Sequence, residues 1–489
     1  MTLGQALLEH LRRHGEAVFD DGHGDALSFP ALADRSVKHA AELRELSGGR
    51  IRPVHFIAKE NGTGLVVALL ASLLADAIPI LADPTISDDQ LGLLLRDCGV
   101  RALFADEKRD LSGLGGRPVA TTEGGWLLRE DAGTGVGQPA PDTALCRLSS
   151  GSTKTPACVE FSADAVLNAA STWAAAAGLS ERDRILCFAG MYNGLAFNTS
   201  LIPAMVSGAS LTVSAAPPTG GHVIRAIAGN QPTVIVGFPV LYDRLADRIE
   251  GASPEQARAL GHSRLRLCSS APLAPATRER LAQRGLDVHD YYGIIETGPV
   301  TINFPFAPGQ GRLLPNAVVA TARDRGNGSH PALNVKTTST CTKFLNYPGL
   351  FESQLDQDGF FLSSDLGHLD GERLFLHGRV SSHLNIGGKK LSSELLRECI
   401  EGLVPAGASV FAGCVTDRDG REGVGVLVET DGEVDQTGVR HGVREKLGNS
   451  YVPAFIAAVP ALPRSGTGKV RRIDTEKYLN ALASEGSGS

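Results

Sequence analysis

From Arg52 onward the sequence keeps returning to one arrangement, a short β-rich run followed by a longer stretch of helical character. Val54–Ala58 precedes a helix over 63–75. Ile78–Leu81 precedes a polar-capped helix starting at Ser87, and Ala102–Ala105 follows. The rhythm resumes with strands at Arg184–Ala189, Ser210–Val213, Thr233–Gly237, Arg264–Cys268 and Asp287–Tyr291. Helices over 195–207, 221–229, 239–249 and 274–284 fall between or beside them. A strand that must cross over through a helix before the next strand pairs in parallel. The fold class expected is therefore α/β, with parallel-rich sheets flanked by helices.

The remaining segments read differently. Residues 1–50 suggest helix, a strand-like Ala26–Phe29 and a second helix, while Gly- and Pro-rich 109–141 reads as a loop or weak edge. Short alternating pieces over 310–378, such as Phe360-Phe361-Leu362 and Arg373–His377, imply a small antiparallel layer. After Gly378-Arg379 the rhythm restarts, with helices over 391–403 and 436–447 and strands over 408–414, 423–428 and 454–459. At 489 residues the chain exceeds what one core supports. Two domains are expected, a large one over 1–380 and a mobile α+β domain over 381–489.

Charge and cysteine usage narrow the function classes. A net charge of -7 argues against a general nucleic-acid binder, because phosphate backbones favour a basic face. The eight cysteines form no C-x-x-C pair, which fits a reduced, cytoplasmic protein better than a disulfide scaffold or a structural zinc site. Met1–Gln5 does not read as a secretory leader. The apolar run Leu65–Ala75 is too short to span a bilayer, so no membrane partner is expected.

Several separate segments carry chemistry. Ser149-Ser150-Gly151-Ser152-Thr153-Lys154 follows a strand-like run, and its small residues and hydroxyls suit close approach to phosphate oxygens, with Lys154 to offset charge. Later come Ser269-Ser270-Ala271-Pro272, Tyr291-Tyr292-Gly293-Ile294-Ile295-Glu296, an isolated Asp365, Gly378-Arg379 and Arg464-Ser465-Gly466-Thr467-Gly468-Lys469. In that order they resemble the adenylate-forming family of acyl-CoA synthetases, aryl-acid ligases and peptide-synthetase adenylation domains. The resemblance runs from about residue 50 to 475.

The resemblance implies ATP and Mg²⁺ as cofactors and a role for each matched residue. Ser149 to Lys154 would form the phosphate loop. Ser269, Ser270, Ala271 and Pro272, with Tyr292 and Gly293, would flank adenine, Tyr292 stacking on it. Glu296 would hold Mg²⁺, Asp365 would accept the ribose hydroxyls, and Arg379 would contact ribose or phosphate. Lys469 would bridge the substrate carboxylate and the α-phosphate, where two anions must meet. The C-terminal domain would turn about a hinge at Ser381 or Ser382, where relatives usually carry Asp or Lys.

The chain also departs from the family. Relatives commonly read T-S-G-T-T-G-x-P-K-G through the phosphate loop, whereas Lys154 stands at the second glycine, Ala157 at the lysine and Cys158 at the last glycine. Ile295 replaces a threonine, Ser269-Ser270 replaces Gly-Gly, and Asn385 stands where acyl-CoA enzymes often place lysine. The acid pocket would be lined by Tyr192, Asn193, Gly194, Phe238, Ser269 and Tyr291. No acid lies between Cys187 and Ser207 to pair with an α-ammonium. A small aromatic, heteroaromatic or short polar acid is therefore expected over an α-amino acid or a long fatty acid. The acceptor would be coenzyme A or a carrier-protein phosphopantetheine arm acting in trans, and Lys389, Lys390, Arg471 and Arg472 suit either. The alternative is an impaired relative that binds AMP or acyl-adenylate as a structural or regulatory partner.

Overall fold

The computed structural model describes residues 1–47, 51–106, 114, 117–128, 135–149, 155–214, 219–323, 325, 330–379, 383–386, 389–416, 422–464 and 470–486. They fall into two units. One comprises Met1–Val319, Val335–Leu362 and Asp370–Leu374, the other Ala320–Asn334, Ser363–Leu369 and Phe375–Ser489.

In the first unit the strands Ser210–Val213, Arg184–Cys187, Val234–Gly237, Leu265–Cys268 and His289–Ile294 lie side by side in that order. Every pairing among them is parallel. Spatial and chain order disagree at one place. From Arg184–Cys187 the chain crosses to Ser210–Val213 on one side, then returns to Val234–Gly237 on the other. Such a reversal opens a crevice beyond the carboxyl ends of the strands. Helices Gly220–Asn230, Pro239–Arg248 and Pro275–Ala282 supply crossovers. Their apolar faces, through Val223, Leu241, Leu245 and Leu281, bury against Ile235 and Cys268.

A second sheet of the same unit centres on Val54–Ala58 and Ile78–Leu81. Both are buried at every position, as parallel strands covered on two faces must be. Thr143–Leu148 pairs parallel to Ile78–Leu81 and antiparallel to Cys158–Ser162.

Several segments refine or depart from expectation. Within 109–141, strands Arg117–Thr121 and Gly124–Leu128 form a hairpin against Val100–Ala105. Gly124, at φ +105°, supplies the turn that the composition disguised as loop. Cys158–Ser162 leads into an unforeseen helix, Ala163–Ala177. Its alanine-rich sequence blurs the apolar period, but Ser162 Oγ accepts from Ala165 N at 3.1 Å and left-handed Gly178 ends it. The helix expected over 195–207 is not continuous. It widens to a π-turn at Phe197–Leu201 between Gly194–Ala196 and Ile202–Ser207. Pro203 has no N–H to continue the ladder, and a shifted register absorbs the loss.

In the second unit, Ala317–Ala322, Ala332–Thr337, Phe361–Asp370 and Arg373–Arg379 adjoin in that order, each contributing residues to it. Ser409–Thr416 pairs antiparallel with Glu422–Glu429, which pairs parallel with Phe455–Val459. Helices Ser393–Glu401 and Gln436–Leu447 close a core of Leu396, Ile400, Val426, Val428, Val439, Val443 and Ile456. The architecture is α/β with a small antiparallel layer and an α+β C-terminal part.

Two buried histidines make stability in the first unit depend on pH. His55 lies 3.0 Å from Ser72 Oγ, and burial pushes it down to about 3. His289 Nδ1 accepts from Arg266 N at 3.2 Å; burial, then the Arg266 charge, pushes it down to about 4. Because both lie below the ordinary 6.5, the unfolded chain takes up protons that the folded chain refuses. Their contribution is complete above about pH 6.5 and lost as pH falls towards 4. The urea midpoint should drop across that window, and less steeply in His289→Asn; a flat profile in the native protein would refute this. A second prediction concerns Ser270, a non-glycine residue at φ +77° just after strand Leu265–Cys268. A side chain there opposes the carbonyl, so Ser270→Gly should gain about 0.5–1 kcal/mol in urea unfolding. Equal or lower stability would show that the serine side chain compensates.

Candidate active site

The parallel strands of the first unit deliver their loops to one edge. Beyond Cys187 come residues 188–194, beyond Gly237 comes Phe238, and beyond Cys268 come Ser269–Pro272. Strand His289–Ile294 itself carries Tyr291, Tyr292 and Gly293 and leads to Glu296.

In the loop beyond Cys187, the Tyr192 ring lies over the Gly190 backbone, where an added Cβ would stand 2.4 Å from ring Cζ. Burial raises the Tyr192 hydroxyl's pKa, and Asp83 adds to it. Asn193 Oδ1 accepts from Leu195 N at 2.9 Å, so this side chain caps the short helix that follows. Asn61 fastens the turn from the neighbouring sheet, accepting from Met191 N at 2.9 Å and donating to Ala189 O at 3.3 Å. Phe238 is buried. Ser269 Oγ donates to Tyr291 O at 2.8 Å and so ties two adjacent strand ends together.

Tyr291 is enclosed. Its ring meets Trp173 edge-on at 5.2 Å, its hydroxyl meets Asn198, and burial pushes it up to about 12. A Cβ at Gly293 would stand 2.7 Å from Tyr291 Oη and 2.8 Å from Gly298 O, so only glycine fits there. Tyr292 is buried and its N–H donates to Thr301 Oγ1 at 3.2 Å, next to a register shift at Gly293. Glu296 is half-buried, and its carbonyl accepts from Cys341 N at 2.7 Å. Beside it the Thr297 hydroxyl is buried with no partner among the described residues.

Ser149 and Ala157, at the ends of strands Thr143–Leu148 and Cys158–Ser162, are joined twice. Ser149 N donates to Ala157 O at 2.8 Å, and Ser149 Oγ accepts from Ala157 N at 2.9 Å. Asn346 braces the returning strand, accepting from Cys158 N at 2.8 Å and donating to Pro156 O at 2.9 Å. Tyr347 Oη donates to Thr155 O at 3.0 Å. Ser150, Gly151, Ser152, Thr153 and Lys154 lie outside the described residues, as do Ser381, Ser382 and Lys469.

In the second unit, Asp365 is buried and Arg379 Nε donates to its Oδ1 at 2.6 Å. Asp365 N also donates to Ser363 Oγ at 3.2 Å, so backbone and carboxylate are both oriented.

Reading by motif passes over Arg147. It lies in strand Thr143–Leu148 at 2% exposure, and the rings of Phe161 and Phe197 each face its guanidinium at 4.8 Å. Nε and Nη1 are buried without hydrogen-bond partners among the described residues. Burial lowers its pKa to about 10 against the opposing pull of Tyr291, Cys341 and Glu296. The available signal was a charge inside an otherwise apolar strand.

The AMP-binding enzyme family matches residues 8–332. The chain is 24% identical over 475 residues to a feruloyl-CoA synthase from Amycolatopsis sp, covering 91% of this chain and 93% of that protein. It is 25% identical over 473 residues to a 3-hydroxybenzoate–CoA ligase from Aromatoleum sp., covering 88% of each. In fold it is similar to ATP-bound MatB from Rhodopseudomonas palustris, with a TM-score of 0.80, 19% identity and coverage of 99% and 100%. A benzoate CoA ligase from Burkholderia xenovorans gives a TM-score of 0.79 at 19% identity, with 97% and 100% covered. The chain thus belongs to the AMP-binding enzyme family, the adenylate-forming acid–thiol ligases.

Proposed function

We propose that the protein uses ATP to activate a small carboxylic acid, aromatic, heteroaromatic or short and polar, as an acyl-adenylate. It then passes the acyl group to the phosphopantetheine thiol of coenzyme A or of a carrier protein. One observation supports this above the rest: Tyr192–Gly194, Phe238, Ser269–Pro272 and the Tyr291–Glu296 segment all leave one edge of one parallel sheet. Relatives named as ligases for feruloyl, hydroxybenzoate and anthranilate groups support an aromatic acid and coenzyme A.

In this reading residues 1–380 bind both substrates, and 381–489 turn about Ser381 or Ser382 to bring Lys469 in. A carboxylate oxygen attacks the α-phosphorus and pyrophosphate leaves; the thiol then attacks the acyl carbon, AMP leaves, and the thiol proton passes to solvent. Lys469 relieves the repulsion between carboxylate and phosphate. Ser149 anchors the loop whose Lys154 faces the leaving phosphates, Asp365 and Arg379 hold ribose, and Tyr292 with Ser270–Pro272 flanks adenine. Glu296 fits Mg²⁺, since a half-buried carboxylate next in sequence to a Thr297 hydroxyl with no partner among the described residues offers hard oxygen donors. When bound, the ion would neutralise charge on the departing phosphates.

Pyrophosphate exchange over a panel of small acids tests the first step. AMP release that depends on added coenzyme A or on a carrier protein tests the second. Tight AMP binding with no exchange for any acid would instead support a non-catalytic binder, which the alanine at position 157 favours. Lys469→Ala should abolish adenylate formation while largely sparing thioester formation from supplied acyl-adenylate; equal loss of both would sink the assigned role. Lys154→Ala should raise the KM for ATP, and an unchanged ATP dependence would show that this lysine does not replace the one absent at Ala157.

A further inference from the structure

Arg147 is the buried charge that the proposed reaction leaves unused. The guanidinium carbon lies over the rings of Phe161 and Phe197 at 4.8 Å from each, which favours the cation but offers no acceptor to its N–H groups. Nε and Nη1 stay without a hydrogen-bond partner among the described residues at 2% residue exposure. A buried cation in that condition is costly until an acceptor arrives.

The surroundings say which reactant could bring one. Phe197 belongs to the π-turn that follows the acid-side helix start, and Gly194 begins that helix. A Cβ on Gly194 would stand 3.4 Å from Nη1, so this edge of the guanidinium lies against the start of that helix. Among the ionisable groups acting on Arg147 is the Glu296 carboxylate, on the segment assigned above to acid and metal.

We infer that Arg147 receives a second anionic group of the acid, distal to the carboxylate that is activated, so that the favoured substrates are dianions such as dicarboxylates or sulfonated carboxylates. This rests on the adenylating reading proposed above and narrows its substrate class. It makes Arg147 a specificity residue: the guanidinium, held beside the rings of Phe161 and Phe197, meets the distal anion while the near carboxylate stays available for attack on phosphorus.

The test compares acids that differ by one anionic group, isophthalate against benzoate and succinate against butyrate, in pyrophosphate exchange by the full-length protein. The dianion of a pair should be favoured in kcat/KM by at least about thirtyfold. Arg147→Met should erase that preference through the KM for the acid, leave the KM for ATP unchanged, and abolish the rise in melting temperature that the favoured dianion produces. Arg147→Lys keeps the cation and should retain part of the preference, which separates lost recognition from lost folding. Equal or better use of the monoanions by the native protein would overturn the inference while leaving adenylation intact. A raised KM for ATP in Arg147→Met with acid preference unchanged would assign the guanidinium to nucleotide phosphate and also overturn it. Exchange with none of the acids would overturn the adenylating reading itself and this inference with it.

Discussion

Strand direction is the constraint on which the rest of the larger unit depends. Five neighbouring strands run the same way, so their carboxyl ends share an edge and their loops project from it. Parallel pairing forces each return through a helix, which leaves the loops at that edge free of the job of reversing the chain. They are short and anchored at known points: Asn61 holds 189–191, Ser269 holds Tyr291, and Gly293 lets Tyr291 fold against it. A reaction between two anions needs that rigidity, because donors that reorganise lose most of their value when charge develops.

Charge in this unit is arranged by burial as much as by pairing. Glu296 is half-buried, while Arg147 is buried beside two aromatic rings with no hydrogen-bond partner on Nε or Nη1 among the described residues. Asp365 in the second unit is the contrasting case, buried but met by Arg379 at 2.6 Å. The pairing at Ser149 and Ala157 shows a third solution, in which hydroxyl, backbone and amide hydrogen bonds from Ser149, Ala157 and Asn346 hold the strand ends without a charged side chain.

Periodicity made much of the fold legible. Val54–Ala58, Ile78–Leu81 and Ser210–Val213 stand where apolar runs between turn residues suggest, because covered parallel strands are apolar on both faces. Legibility failed where composition masked the period. Alanines hid Ala163–Ala177, and glycines hid the hairpin at 117–128. Pro203 was visible, but its effect, a π-turn instead of a clean break, depends on the packing around Phe197 and Leu201.

The candidate site divides in the same way. Order and chemistry of the motifs were enough to identify the family. What only tertiary structure decided was which side chains are already engaged and which are not. Asn193 is occupied as a helix cap, Ser269 as a tie between strands, and Ser270 carries a left-handed backbone. Arg147 lies in sequence among ordinary strand residues, and becomes conspicuous only when Phe161 and Phe197 close over it. Residue type states what a side chain is able to bind; burial and the neighbours brought in from distant segments decide whether that capacity is already satisfied.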